Sequence, residues 1–244
     1  MSSSTWPPVP KPPVLAPVPL SRVLPDGVSW AEAPIPMPGR PKLLPAEESA
    51  AAGSFPERYQ DFLAGRACAH HAMVRLGVPG ARRIPVLRGD HREPLWPRGV
   101  VGSITHRAGY CAAVVARSRH FAGIGIDAEL AEPMPPDVVQ DFCTEGERTW
   151  LRAHEDDGIP WATVLFSAKE SLYKAWFPLA RSWLDHRDAE LTPDPASRTI
   201  RIRLAPAHRE QLARYGTPQC TFAVADPHIA TFVSIPTRPR RFER

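Results

Sequence analysis

The sequence predicts a mixed α/β (α+β) fold and allows two related subdomains, and three observations lead to this reading. Apolar runs of strand length stand close together at Val100–Ile104, Tyr110–Ala116 and Phe121–Ile126. A second set at Thr199–Leu204, Gln219–Ala225 and Ile229–Ile235 has the look of terminal antiparallel strands. Each half also holds a long helical region, and the halves meet near residues 117–122. At 244 residues the chain is long enough for one large domain or two small ones with a real core. Sequence identity between the halves is not visible by eye.

Along the chain, prolines stand at nearly every second or third position from Pro7 to Pro19, which favours extended polyproline over helix or central strand. Residues 1–20 therefore read as a disordered, proline-rich extension. Leu24–Ala33 holds the first strand of an N-terminal subdomain spanning 21–119. Its long helical region is Pro45–Gly77, where Phe62, Ala69, Met73 and Leu76 recur near helical spacing and Gly77 and Pro79 stop it. The runs at 100–104 and 110–116 are joined by a turn-like Thr105-His106-Arg107-Ala108-Gly109. The C-terminal subdomain, 120–236, continues with helices at Asp137–Glu155 and Trp161–Phe177, Pro178 closing the second. Residues 237–244 are a basic tail.

Composition narrows the function classes. Apolar content of 43%, charged content of 23% and a net charge of +4 describe a soluble globular protein suited to phosphate-bearing ligands or acidic partners. The charge is too modest to argue for nucleic acid. Cys68, Cys111, Cys143 and Cys220 lack metal-finger or C-x-x-C spacing, so reduced thiols are expected. With no signal-peptide pattern and no run near ~20 apolar residues, the expectation is a cytoplasmic protein that does not engage membranes.

The chemistry concentrates in Gly125-Ile126-Asp127-Ala128-Glu129 and Phe166-Ser167-Ala168-Lys169-Glu170-Ser171-Leu172-Tyr173-Lys174. Asp127 and Glu129 are two apart on a strand and share a face. Two like charges about 4 Å apart repel by roughly 4 kcal/mol at an effective dielectric near 20, so the pair calls for a cation or a proton. Hard oxygen ligands favour magnesium. A D-x-E at a strand end is more often an exposed pair; here glycines at 123 and 125 allow another backbone or a ligand to come close. Glu170 and Lys174 are four apart on an apolar helix, where an ordinary solvated pair is the competing reading. His106, beside Thr105, is either structural or a phosphate contact. Arg58 and Arg66, eight apart on the first helix, suit bidentate phosphate binding or a solvated face equally well. Arg88, His91 and Arg92 read as a solvated basic loop, and Trp176 and Trp183 as core.

Taken in order, Trp96-Pro97, Gly102-Ser103-Ile104-Thr105-His106, Gly125-Ile126-Asp127-Ala128-Glu129 and Phe166-Ser167-Ala168-Lys169-Glu170-Ser171-Leu172-Tyr173-Lys174-Ala175, with Gly65-Arg66-Ala67-Cys68-Ala69-His70 upstream, resemble the 4′-phosphopantetheinyl transferases of the surfactin and enterobactin synthetase type. The resemblance covers roughly residues 22–235. It implies transfer of the phosphopantetheine arm of coenzyme A to a serine of an apo acyl or peptidyl carrier protein, in fatty-acid, polyketide or nonribosomal peptide synthesis, with release of adenosine 3′,5′-bisphosphate. It further implies a monomer whose two subdomains, each a small antiparallel sheet on a long helix, hold coenzyme A in the cleft between them.

By the same resemblance Asp127, Glu129 and Glu170 bind magnesium, or manganese in its place. Glu170 acts as base and Lys174 assists the leaving phosphate. Lys169 holds phosphates, Thr105, His106, Arg58 and Arg66 contact the 3′-phosphate region, and Trp183 lines the pantetheine channel. Arg88, His91 and Arg92 fall where relatives carry a lysine loop, and Arg107 replaces the usual cysteine or serine as an expected bystander. A magnesium-dependent phosphohydrolase and a non-catalytic binding module for coenzyme A or carrier protein are the rival readings.

Overall fold

The computed structural model describes residues 18–39, 41–107 and 109–238. The first half contains β1 (Val28–Pro34), α1 (Pro45–Ala51), α2 (Pro56–Arg75), the short hairpin strands β2 (Leu87–Arg88) and β3 (Pro94–Leu95), β4 (Val100–Arg107) and β5 (Tyr110–Arg117). The second contains β6 (Phe121–Leu130), α3 (Pro136–Phe142), α4 (Glu145–Arg152), α5 (Trp161–Ala180), β7 (Ala189–Asp194), β8 (Thr199–Leu204), α6 (Pro206–Gln211), β9 (Gln219–Ala225) and β10 (His228–Pro236). The larger strands form two antiparallel sheets, ordered β1-β5-β4 and β6-β10-β9-β8-β7. Each half is thus a sheet packed on one long helix.

Strand alternation divides the core. On β5, Cys111, Ala113 and Val115 pack beneath Ala64, Cys68, Ala72 and Met73 of α2, residues that recur at helical spacing. The intervening Ala112, Val114 and Ala116 point the other way. There they meet Ile124 and Ile126 of β6 and Phe232 of β10, so the faces left bare by the helices share one central core. On the far side of the second sheet, Ile229, Val233 and Ile235 pack with Leu165, Leu172 and Trp176 of α5. The edge strands β4 and β6 also meet across the halves, where the Ile126 amide donates to Ser103 Oγ at 3.2 Å.

Several boundaries differ from the sequence reading. Val18 and Leu20 are buried in the central core, so the ordered first half begins before residue 21; residues 1–17 lie outside the described residues, as does the tail beyond Arg238. The 45–77 region is two helices, broken where Gly53 takes a φ of 77°. The 137–155 region breaks at Thr144, whose hydroxyl caps α4 by accepting the Glu147 amide at 3.2 Å. Thr105, His106 and Arg107 belong to β4 and not to a turn. Pro178 lies inside the last turn of α5, which runs on to Ala180 and ends with Arg181 in the left-handed region at φ 51°. The four cysteines are free, and all four are buried. Among the described residues, no helix is long and apolar enough to cross a membrane.

Candidate active site

The acidic cluster is built by the close approach of α5 to β6. A Cβ on Gly125 would stand 1.8 Å from the Ser171 carbonyl oxygen, and one on Gly123 would stand 2.4 Å from that of Ala175. The bare glycine face lets the helix lie directly on the strand. Consequently Lys174 Nζ donates to Asp127 Oδ1 at 2.7 Å and to the Ile126 carbonyl at 3.1 Å. Thr105 Oγ1 donates to the same Oδ1 at 3.1 Å, so β4 of the first half completes the setting. The other carboxylate oxygen, Oδ2, is buried and has no hydrogen-bond partner among the described residues.

Glu129 pairs with Arg107, reached across from β4. Burial, then the neighbouring charge of Asp127, push its carboxyl up to about 7 against the pull of Arg107 and Lys174; Glu170 adds to the upward push. Glu170, on the same side of α5 as Lys174, is half-buried with His186 Nε2 at 3.9 Å from its carboxylate. Among the described residues no three histidines, cysteines or carboxylates are drawn together tightly enough to form a metal cluster as they stand. The donors nonetheless fit a hard divalent cation. They are all-oxygen, they crowd negative charge, and one buried carboxylate oxygen has no donor facing it.

A basic cleft of about 490 Å³ opens in the first half. Arg58 and Arg66 of α2, Arg88 and Arg92 of the β2–β3 hairpin, and His106 of β4 line it, so five of the residues picked from the sequence converge there. Phe62 sets the arginines' spacing, with the Arg66 guanidinium 4.0 Å and that of Arg88 4.9 Å from its ring centroid. Arg66 is buried and its Nε–H lacks a partner among the described residues. Burial, abetted by the charge of Arg88, lowers its pKa to about 10. One buried arginine with three exposed arginines gathered around it calls for an anion. His106 is held below the ordinary histidine range, chiefly by burial and then by Lys174 and Arg58, although Asp61 and Asp127 pull the other way. It is neutral without the anion, whereas a bound phosphate would favour its charged form.

Three candidates lie elsewhere. Lys169 is a correction: it is buried, pairs with Glu147 at 2.9 Å, and donates to the carbonyls of Phe142, Ala189 and His186. Adjacent helical residues project about 100° apart, so Lys169 cannot share the face that carries Glu170 and Lys174. Trp183 does not line the basic cleft; it is 69% exposed, contrary to a core position, and packs on Tyr173 with ring centroids 5.0 Å apart. His91 packs against Phe177 of α5, centroids 4.9 Å apart, and thereby ties the hairpin to the second half. Trp176 is core, fully buried.

Sequence reasoning passed over Asp61, whose carboxylate lies 3.8 Å from His106 Nδ1, and Phe62 as the spacer between arginines. Asp61 was readable as the residue one helical turn after Arg58. Arg107, taken as a bystander, instead pairs with Glu129. Consecutive residues of β4 thus serve two clusters: His106 faces the cations and Thr105 the acids.

Clustered acids beside an arginine-lined cleft, set between two halves of an α/β fold, have the make-up of an enzyme site for a phosphate-bearing substrate. A sequence profile described as the 4′-phosphopantetheinyl transferase N-terminal domain matches residues 46–116. One described as the 4′-phosphopantetheinyl transferase superfamily matches residues 123–231. The chain is 41% identical over 173 residues to the 4′-phosphopantetheinyl transferase Npt of Nocardia iowensis, covering 71% of this chain and 76% of that protein. It is 43% identical over 164 residues to the 4′-phosphopantetheinyl transferase Svp of Streptomyces mobaraensis, covering 66% of this chain and 65% of that protein. Identity to enterobactin synthase component D of Salmonella typhimurium is 34% over 182 residues, covering 75% and 74%. Among solved structures, the acyl carrier protein synthase of Mycobacterium tuberculosis matches with a TM-score of 0.36 at 29% identity, covering 48% of this chain and 99% of that one. The chain belongs to the 4′-phosphopantetheinyl transferase superfamily. It is an enzyme, and its activity is phosphopantetheinyl transfer in the modification of carrier proteins.

Proposed function

We propose that the donor is coenzyme A and the acceptor a serine of an apo acyl or peptidyl carrier protein. The observation that carries this reading is the meeting of the two clusters on β4. A cleft of four arginines and a histidine suits the nucleotide phosphates, and the acids beside it suit the pyrophosphate end. Asp127, Glu129 and Glu170 would hold magnesium, or manganese in its place, which would supply positive charge to offset the negative charge of the pyrophosphate. Arg58, Arg66, Arg88, Arg92 and His106 bind the adenosine bisphosphate portion.

In the reaction the serine oxygen attacks the β-phosphorus. A new P–O bond to serine forms as the bridging P–O bond breaks. Glu170 takes the hydroxyl proton, and adenosine 3′,5′-bisphosphate departs with the bridging oxygen. Lys174, already fixed on Asp127, donates hydrogen bonds to the charge that gathers on the leaving phosphate. The protein works as a cytoplasmic monomer, without nucleic acid or membrane, and its mild net positive charge favours acidic carriers.

The test is to incubate the protein with coenzyme A, magnesium and apo carriers of the fatty-acid, polyketide and peptide kinds, then weigh the carriers by mass spectrometry. The carrier is expected to gain one phosphopantetheine. If every carrier stays apo, the proposal fails. Asp127→Ala and Glu170→Ala should abolish transfer while circular dichroism shows the fold retained. Full activity in either variant would remove the metal assignment.

A further inference from the structure

Glu47 and Glu147, one in each half, are fully buried and built into matching settings. Each carboxylate captures a backbone amide at its own helix start, Leu44 at 3.0 Å in the first half and Thr144 at 2.7 Å in the second. Each also captures the amide of a later segment, Val86 at 2.9 Å and Leu191 at 2.8 Å. Each, finally, meets a basic side chain from the long helix of its half, His70 from α2 and Lys169 from α5, both at 2.9 Å. The two braces differ in that basic group. In the first half it is a histidine, the side chain whose ordinary pKa lies nearest neutrality.

We infer that Glu47 and His70 are a positioning pair that holds the basic cleft in shape, and that the pair acts only while His70 is protonated. The protonation follows from geometry. His70 Nδ1 lies 2.8 Å from the Ala81 carbonyl, which only accepts, so that nitrogen carries a proton. Nε2 faces the carboxylate of Glu47, which accepts from two backbone amides as well, so the second nitrogen donates too. The connection to the cleft is short. Val86, fixed by Glu47, precedes the hairpin that carries Arg88 and Arg92, and the next carbonyl, that of Leu87, accepts from Arg66 Nη2 at 3.3 Å. Arg66 itself sits one turn before His70 on α2.

The groups facing His70 are the Glu47 carboxylate and the Ala81 carbonyl, which favour its charge, and the Arg66 guanidinium, which opposes it. Despite burial the net effect raises its pKa above the ordinary value. The brace is therefore complete below an ordinary histidine's range near 6.5 and is lost as pH rises through the higher folded value. Beyond that point Glu47 is a buried carboxylate without its cation. The hairpin and Arg66 then lose their common anchor.

This inference rests on the cleft being the phosphate site for coenzyme A, and the experiment separates the two. The KM for coenzyme A and the kcat of transfer are measured on the full chain from pH 6 to 9 for the natural protein, His70→Gln and Arg66→Ala. The natural protein should show an alkaline rise in KM with no matching step in kcat. His70→Gln should show a KM raised about tenfold already at pH 6, the weight of one charge-assisted hydrogen bond, and no alkaline step. If Arg66→Ala leaves KM unchanged, the phosphate-site reading itself fails. If Arg66→Ala raises KM while His70→Gln keeps the natural KM and its pH profile, the positioning role is overturned. Should His70→Gln not fold, nitrogen-15 spectra of the natural protein decide: His70 with both ring nitrogens protonated at pH 7 and losing one proton alongside the KM rise supports the pair, and a neutral ring at pH 7 refutes it.

Discussion

Gly125→Ala places the smallest possible side chain where α5 rests on β6. The added carbon would sit 1.8 Å from the Ser171 carbonyl oxygen and 2.8 Å from the Ala175 amide nitrogen, both backbone atoms that cannot rotate aside. An ordinary carbon-to-oxygen contact is about 3.3 Å or more, so the helix must lift by about 1.5 Å or the strand must buckle. Overpacking of this kind costs about 1–3 kcal/mol where side chains can yield. With backbone on both sides the upper end applies, and for a chain of this size about 3 kcal/mol lowers the Tm by roughly 6–12 °C. The same lift would draw Lys174 from its 2.7 Å contact with Asp127 and carry Glu170 with it. A misplacement of about 1 Å near reacting groups costs on the order of a hundredfold in rate. The expected variant is thus a folded but softer protein with kcat/KM down by about two orders of magnitude, measured by carrier mass shift below its melting transition. Unchanged melting and unchanged transfer would refute the view that glycine contact sets the site geometry.

Further predictions concern individual contacts. Glu147→Gln should cost about 3–5 kcal/mol, since it leaves the Lys169 ammonium buried without its counter-charge; denaturant unfolding measures this, and a loss under about 1 kcal/mol contradicts the buried pairing. In proton NMR, His106 should titrate below the ordinary value near 6.5 and shift upward when adenosine 3′,5′-bisphosphate is added. The sign for stability follows: its contribution is whole above about 6.5 and is lost as pH falls toward the lower folded value. Arg107→Ser should cost about 0.2–1 kcal/mol in stability, because the Arg107 side chain is 41% exposed. It should also tighten manganese binding, read by electron paramagnetic resonance, because a competing cation leaves Glu129; weaker binding would count against that competition.

The acidic cluster was largely legible because strand and helix periodicity fix which residues share a face: Asp127 with Glu129, and Glu170 with Lys174. The same periodicity, applied more strictly, sets Lys169 on another side of α5. Strand β7 was missed because Pro193 and Pro195 mask it, yet Pro193 is tolerated on the outer strand of its sheet. The break before α4 stood in the sequence as Thr144-x-x-Glu147, a capping-box signature. No local pattern could show that Glu47 would meet His70 and Val86, or that Arg107 would cross to Glu129. Those contacts join segments far apart in sequence, and the fold alone brings them together.

The β2–β3 hairpin is gripped from the other half as well. Arg181, at the end of α5, binds the carboxylate of Glu93 at 2.5 Å, and Phe177 packs beside His91. The cationic cleft and the acids on β6 are therefore kept at a fixed offset by residues that belong to different halves. For protein engineering this makes the halves non-interchangeable parts. A chimera that joined residues 18–117 to the second half of another relative would need that relative to supply partners for Glu93 and His91, or its two clusters would fall out of alignment even if both halves folded.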